Sequence, residues 1–247
     1  MLRLNDFLDD FSADCTIADA YKRTNSVRLM QYVAAREDPD EMDPFYRRWL
    51  FNKTTEMAAA RGDLQSLQWL VESYLPDEFL TKAVAAAAAN GHLPVLEWLF
   101  ERHRDRGYWG NTEMCGALTN GHVKVVEWLR THAAPRSECL GEVMDAAVRA
   151  ASLDTVKWLH DEHKVMSCAT GSWDQPAKDG PLSFLKFLHA HSIGSPGDKV
   201  DGRSLEVPNS DWRFNEWSGK VNLRRARGNI ANTCWICDSA SLRLEQM

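Results

Sequence analysis

The chain repeats itself at intervals of 29–30 residues, and this period restricts the fold more than any other feature of the sequence. Trp69, Trp98, Trp128 and Trp158 are separated by 29, 30 and 30 residues. Continuing the frame in both directions adds two further aromatic residues, so the full column is Tyr32, Trp69, Trp98, Trp128, Trp158 and Phe187. Self-similarity at a fixed period is typical of proteins built from stacked copies of one small unit. We therefore expect about six repeats.

A turn residue stands seven positions before each aromatic residue of the column. The six turn residues are Asn25, Gly62, Gly91, Gly121, Ala151 and Gly180. Glycine ends a helix in the left-handed conformation without the cost of about 1 kcal/mol that a β-carbon adds. Asparagine tolerates this conformation, whereas alanine fits it least well. The sequence therefore predicts a tight turn at each of these positions, with Ala151 as the exception in residue type.

The residues on both sides of each turn favour helices. Apolar residues stand two, four, five, seven and eight positions after the turn, and this spacing forms a broad stripe on a helix. Alanine-rich runs such as 85–89 precede the turns, and alanine is the strongest helix former. Each repeat is thus predicted to be helix, turn, helix. The predicted fold class is an all-α solenoid in which the aromatic column forms the core between successive repeats.

Segments 90–99, with the sequence NGHLPVLEWL, and 118–129, with the sequence LTNGHVKVVEWL, resemble the second half of the ankyrin repeat. The resemblance covers residues 14–192, about three quarters of the chain. The period is shorter than the ~33 residues of ankyrin, and the Thr-Pro-Leu-His opening of the first helix is missing. The pattern is similar to the short, tryptophan-bearing ankyrin variant found in some eukaryotic microbes. It implies a helical scaffold with short loops between repeats, and a binding function without catalysis.

The sequence predicts three segments. Residues 1–192 form the repeat array, and residues 193–220 form an irregular insertion or linker with Gly, Pro, Ser and Asp clusters. Residues 221–247 are interpreted as a degenerate final repeat or cap. Disorder and a faulty gene model are the alternatives for residues 193–247.

No set of residues indicates catalysis, a cofactor or a metal site. Residues 103–105 spell His-Arg-Asp, but the sequence contains neither a phosphate-binding glycine loop nor Asp-Phe-Gly. Cys234 and Cys237 form a single pair, whereas a structural zinc site needs four ligands. His160 and His163 are one helical turn apart and have no evident third ligand. We therefore predict that the protein is not an enzyme.

The net charge and the cysteine content indicate which classes of partner and which cellular location to expect. The formal net charge of −6 argues against nucleic-acid binding through bulk charge. No apolar run is long enough for a transmembrane helix, and the acidic N-terminus does not resemble a signal peptide. Six cysteines without a framework spacing indicate reduced thiols. We expect a cytoplasmic or nuclear protein that is monomeric alone and binds neither nucleic acid nor membrane.

Aromatic residues outside the repeat pattern are the candidate partner contacts. They are Tyr74, Tyr108, Trp109 and Trp173. Tyrosine and tryptophan dominate the binding energy of protein interfaces, although such residues also fold back over a repeat array. We predict a protein-interaction module or adaptor that uses its concave face and inter-repeat loops. The alternatives are a substrate-targeting subunit of a ligase or kinase assembly and a metal-dependent enzyme built on His160, His163 and the cysteines.

Overall fold

A computed structural model describes residues 15–38, 42–166, 168–169 and 172–194, and this part of the chain is all-helical, without strands. Its α-helices are α1 (Ile17–Thr24), α2 (Val27–Ala34), α3 (Pro44–Arg61), α4 (Leu64–Trp69), α5 (Thr81–Ala89), α6 (Leu93–His103), α7 (Thr112–Thr119), α8 (Val123–His132), α9 (Leu140–Arg149), α10 (Leu153–Asp161), α11 (Asp174–Asp179) and α12 (Leu182–Ala190). A π-helical turn at Leu70–Tyr74 continues α4. The sequence-based interpretations of residues 195–220 and 221–247 lie outside the described residues.

The chain divides into two compact units, with the boundary between residues 135 and 136. The N-terminal unit contains α1 to α8, which correspond to the first four repeats. The C-terminal unit contains α9 to α12, which correspond to the fifth and sixth repeats. In both units the helices alternate as first and second helix of a repeat, as the sequence predicts.

Five of the six predicted turn residues adopt the left-handed conformation. Their φ angles are 53° at Asn25, 72° at Gly62, 79° at Gly91, 74° at Gly121 and 50° at Ala151. Ala151 therefore carries the strain that glycine avoids, which is about 1–2 kcal/mol.

Gly180 is a correction, because its φ of −77° and ψ of 163° are extended. The following residue is Pro181, and proline pushes the residue before it into this region. Glycine is still required there, because a β-carbon at residue 180 would lie 2.5 Å from the carbonyl oxygen of Pro176.

Within the N-terminal unit the first helices of successive repeats pack on one another. Helix α3 contacts both α1 and α5, and α5 also contacts α7. Alanine fills these contacts, and Ala58, Ala59, Ala83, Ala87, Ala88 and Ala117 are buried. Side chains this small let the helix axes approach closely. The second helices contribute buried leucines, such as Leu67, Leu96 and Leu129.

Helix α3 is about twice as long as the first helices of the next two repeats. It has 18 residues, whereas α5 has 9 and α7 has 8. Asp43 caps its N-terminus by accepting the backbone N–H groups of Phe45 at 2.7 Å and Tyr46 at 3.2 Å. Pro44 follows in the first turn, where proline is tolerated. The N-terminal half of α3 thus extends roughly 13 Å beyond the length of α5.

Candidate functional site

The N-terminal half of α3 carries the most exposed cluster of aromatic side chains in the described residues. Phe45 is 78% exposed, Tyr46 is 46% exposed and Trp49 is 50% exposed. Phe79, in the loop before α5, is 71% exposed. We call these four residues the aromatic face. None of the four is among the predicted partner contacts, although they too lie outside the repeat frame.

The helical period explains why this face is exposed. Phe45, Tyr46 and Trp49 fall on one side of α3, whereas Leu50, Phe51, Thr54 and Thr55 on the other side are buried. One helix therefore carries a complete core side and a second apolar side. Because the core side is already filled, the aromatic face is not part of the hydrophobic core.

Two side chains of the aromatic face, Tyr46 and Trp49, are ordered by contacts along α3. The rings of Tyr46 and Trp49 stack with centroids 5.8 Å apart and an interplanar angle of 14°. The Nζ atom of Lys53 lies 4.6 Å from the centroid of the Trp49 ring. Lys53 stands one turn after Trp49 on α3, so stacking and cation–π contacts follow the helix axis. Side chains that are already ordered lose less conformational entropy when a partner binds.

An ion pair fixes Phe79 beside α3. The Arg48 Nε atom lies 2.7 Å from Glu78 Oε1, and Glu78 directly precedes Phe79. Both Arg48 and Phe79 are exposed. The ion pair thus joins the loop residue of the aromatic face to the helix that carries the other three.

Arg106 also binds the loop that carries Phe79, through hydrogen bonds to backbone carbonyls. Its Nε donates to the carbonyl of Glu78 at 3.0 Å, and its two terminal nitrogens donate to the carbonyls of Val71 and Leu75 at 3.3 Å each. The backbone N–H of Leu80 donates in return to the Arg106 carbonyl at 2.8 Å. The carbonyls at the end of a helix lack intrahelical partners, and one half-buried guanidinium satisfies two of them here. The loop that carries Phe79 is therefore held in place by the following repeat.

Two of the four predicted partner contacts are buried. Tyr74 donates its hydroxyl to Glu37 Oε2 at 2.7 Å, and the Arg47 guanidinium lies 4.8 Å from its ring centroid. Burial raises the pKa of the Tyr74 hydroxyl, and its hydrogen bond to Glu37 raises it further. Trp173 donates its indole N–H to the Ile193 carbonyl at 3.2 Å. Tyr74 and Trp173 therefore offer no exposed surface to a partner, contrary to the expectation from sequence.

The other two predicted contacts differ from each other. Trp109 is half-buried, donates its indole N–H to the Arg104 carbonyl at 3.1 Å and packs edge-on against Phe100 at 5.2 Å. It therefore folds back over the third repeat. Tyr108 is 40% exposed, and its backbone N–H donates to Thr81 Oγ1 at 3.3 Å. Of the four predicted contacts, Tyr108 is the one whose ring remains on the surface.

The aromatic column is only partly buried, which corrects the expectation of a continuous core. Trp98 and Trp158 are buried, whereas the other four residues are half-buried. Each column residue packs against a side chain four or five positions later in its own repeat. The pairs are Tyr32–Arg36, Trp69–Tyr74, Trp98–His103, Trp128–His132, Trp158–His163 and Phe187–His191. Much of the column is thus covered within each repeat, although Trp128 also meets Phe100 of the preceding repeat at 5.3 Å.

Histidine follows the turn glycine in two repeats, and it links each of these repeats to the one before. The Nε2 atom of His92 lies 2.9 Å from the Ala60 carbonyl, and that of His122 lies 3.0 Å from the Ala89 carbonyl. Both rings donate there, because a carbonyl oxygen only accepts. The rings occupy the space where a β-carbon of Gly62 or Gly91 would lie, at 2.5 and 2.6 Å. Glycine at these turns therefore permits the left-handed backbone and also leaves space for the histidine ring of the next repeat.

The histidines that the sequence analysis considered for a metal site have other contacts. His160 Nδ1 lies 2.8 Å from Asp161 Oδ1, and His163 packs edge-on against Trp158. The described residues contain no group of three or more side chains that could hold a metal ion. Among the described residues, Cys15, Cys115, Cys139 and Cys168 form no disulfide bond.

Comparisons with known proteins add no relative. No family model matches the chain, and neither a curated protein nor a solved structure matches it. The resemblance to ankyrin repeats therefore stays a prediction from sequence. Among the described helices, none is both long enough and apolar enough to cross a bilayer.

Proposed function

We propose that the chain is a non-catalytic protein-interaction module, built as an ankyrin-like solenoid, that binds its partner through the aromatic face. The observation that carries the proposal is the exposure of Phe45, Tyr46 and Trp49 on α3 and of Phe79 in a loop that the Arg48–Glu78 ion pair joins to α3. The architecture is supported by the helix pairs, by the left-handed turns and by the packing of first helix on first helix in the N-terminal unit.

Exposed aromatic residues in a cluster need an explanation that isolated ones do not. Single apolar residues are common on protein surfaces, whereas contiguous apolar patches mark interaction sites. Tryptophan and tyrosine are also enriched among the residues that contribute most to interface energy. The stacked Tyr46–Trp49 pair supplies two such residues in a fixed geometry.

Photo-crosslinking tests this function. A photoreactive phenylalanine analogue would replace Phe45 or Phe79 in the full chain, and the control would carry it at Val123. Val123 is an exposed apolar residue of the same unit but lies outside the aromatic face. We expect one abundant crosslinked protein from positions 45 and 79 in extracts of the source cells, and none from position 123.

A second experiment tests whether the crosslink requires the aromatic face. A Tyr46→Ala/Trp49→Ala variant with the analogue at position 79 should lose the crosslinked protein, although it still folds and its melting temperature falls by only about 2–4 °C. Equal crosslinking from all three positions, or crosslinking that survives the double substitution, would contradict the proposal.

A further inference from the structure

The half of α3 that carries the aromatic face extends past the first helix of the preceding repeat. Helix α1 packs on α3, and Arg61 at the end of α3 donates to Asn25 Oδ1 at the end of α1. Because Asn25 and Gly62 are equivalent turn residues, α1 begins at the level of Thr54. Helix α1 has 8 residues and α3 has 18, so the first ten residues of α3 extend about 15 Å past α1.

Tyr46 and Trp49 lie on the side of α3 that turns toward α1. At about 100° per residue, Tyr46 falls about 60° and Trp49 about 120° around the helix from Arg61, whose guanidinium contacts α1. Arg48, which pairs with Glu78 in the loop before α5, falls about 140° away in the opposite direction. A segment that runs along α3 from the start of α1 therefore reaches Tyr46 first and Trp49 next.

Residues 1–14 are the segment of the chain that leads into α1, and they lie outside the described residues. Only Cys15 and Thr16 separate them from α1, and the Thr16 side chain caps that helix. Fourteen residues span about 21 Å as a helix and more in an extended form, which exceeds the projecting length of α3. Because α1 is packed on α3, residues 1–14 are held within reach of Tyr46 and Trp49.

The sequence of residues 1–14 suits a contact with exposed aromatic rings. Its apolar residues at positions i, i+3, i+4 and i+7 are Leu4, Phe7, Leu8 and Phe11. This spacing forms one apolar side in a helix, and the aspartates at positions 6, 9 and 10 fall on the other side. Amphipathic segments of this pattern bind apolar surfaces through their apolar side. The half-exposed rings of Tyr46 and Trp49 provide such a surface.

We propose that residues 1–14 lie on Tyr46 and Trp49 through this apolar side and compete there with the partner of the aromatic face. The competition rests on the proposed function, whereas the contact within the chain does not. The contact is apolar, because acids are present both in the segment and around α3, at Asp43 and Glu56 for example.

Photo-crosslinking within the purified full chain tests the contact. A photoreactive phenylalanine analogue replaces Tyr46, and mass spectrometry of proteolytic fragments identifies the attached peptide. We expect attachment to residues 1–14, and none of it when the analogue replaces Val123. A mixture of isotope-labelled and unlabelled protein shows whether both peptides come from one molecule. Attachment across two molecules would assign the face to a second copy, and attachment to residues 195–247 would assign it to that segment; either result overturns the inference.

Matched substitutions in the segment test which of its sides makes the contact. Leu8→Ser/Phe11→Ser should lower the yield of the crosslink from position 46 at least about tenfold, because two apolar side chains lose their burial. Asp9→Ser/Asp10→Ser changes the same number of residues on the other side and should lower it less than about twofold. An equal effect of the two pairs would contradict a contact through the apolar side.

A synthetic peptide of residues 1–14 tests the same site from outside the chain. By fluorescence anisotropy, the labelled peptide should bind the Leu8→Ser/Phe11→Ser chain about threefold more tightly than the wild type, whose face is covered about two thirds of the time. Adding Tyr46→Ala/Trp49→Ala to that chain should abolish the binding. Equal affinity for the wild type and the Leu8→Ser/Phe11→Ser chain would overturn the inference.

The partner crosslink separates this inference from the proposed function. In extracts of the source cells, Leu8→Ser/Phe11→Ser should raise the yield of the crosslink from position 79 about threefold, since the face is then open. An unchanged yield would refute the competition. Absence of a partner crosslink from both chains, with the crosslink from position 46 intact, would refute the proposed function and the competition while the contact within the chain stands.

Discussion

Tryptophan has two different environments in the N-terminal unit. Trp98 belongs to the repeat column, is buried and packs edge-on against His103 at 4.8 Å. Trp49 lies outside the column, is half exposed and stacks on Tyr46. Both stand on helices and both have ordered aromatic or cationic neighbours. The difference teaches that burial by neighbouring helices, and not residue type or local order, separates a stabilising tryptophan from a candidate binding one.

The largest effect should come from removing the buried ring. Trp98→Ala is expected to lower the free energy of unfolding by about 3–5 kcal/mol, because it deletes a large core side chain and leaves a cavity. Chemical denaturation followed by circular dichroism measures this change. Trp49→Ala in the same assay serves as the comparison. Equal losses from the two substitutions would remove the distinction between column and face.

A somewhat smaller loss of stability should come from substituting a turn glycine that contacts the histidine of the next repeat. Gly91→Ala is expected to cost about 2–4 kcal/mol, since it strains a left-handed residue and displaces the His122 ring. Gly121→Ala is the matched control, because its φ is also positive while no atom lies within 4 Å of the added β-carbon. The control should show only the strain of about 1–2 kcal/mol. If both variants unfold alike in denaturant, the histidine contact contributes nothing to the repeat.

The buried carboxyl of Glu113, on α7, allows the cost of a charge in the hydrophobic core to be measured. It is buried at a register position that Ala83 occupies one repeat earlier, and its Oε1 atom has no hydrogen-bond partner. Burial raises the pKa of this carboxyl, and hydrogen bonds from the backbone N–H groups of Glu113 and Gly110 lower it in part. The folded state therefore retains a proton that the unfolded state has released. Stability from this group is lost as the pH rises through the window between the unfolded and folded pKa values.

Glu113→Gln is accordingly expected to raise the free energy of unfolding at neutral pH by about 1 kcal/mol. The variant should also lose the decline in stability with rising pH that the carboxyl causes above its unfolded pKa of about 4.5. Denaturation series from acidic to neutral pH measure both quantities, with Glu127→Gln on the exposed side of α8 as the control. A wild-type protein whose stability has the same pH profile as the Gln variant would refute the assignment.

The smallest effect on stability should come from the aromatic face. Tyr46→Ala/Trp49→Ala is expected to lower the free energy of unfolding by about 1 kcal/mol, because it removes one stacked pair and one cation–π contact but no fully buried side chain. The same variant should abolish the crosslink from position 79. A large loss of stability, measured by thermal melting, would mean that the face is a hidden part of the core.

The repeat period predicted the helix pairs and their turns because both depend on short-range spacing. The sequence placed the left-handed turns from Asn25 to Ala151 correctly and missed only the extended Gly180, whose conformation depends on the proline after it. Tyr74 and Trp173 were misplaced because a residue outside the frame need not lie at the surface. The π-helical turn after Trp69 ends at Tyr74 and brings the two rings to 5.7 Å, and no pattern in the sequence announced that turn.

The sequence contains one sign of the aromatic face, which is the long interval between the first two residues of the aromatic column. The interval from Tyr32 to Trp69 is 37 residues, longer than the usual period. The extra residues fall in the segment where Phe45, Tyr46 and Trp49 flank two arginines. A longer interval alone predicts a longer loop as readily as a longer helix. The capping by Asp43 is a local signal that favours the longer helix, whereas the ion pair with Glu78 is a contact made only in the folded chain.

The contact between a turn glycine and the histidine of the next repeat bears on how such an array can grow. Half of each contact belongs to one repeat and half to its successor, so a repeat added in register has to supply a histidine for the glycine before it and a glycine for the histidine after it. A copy whose turn residue carries a β-carbon would leave the histidine ring of the next repeat with no space to lie in.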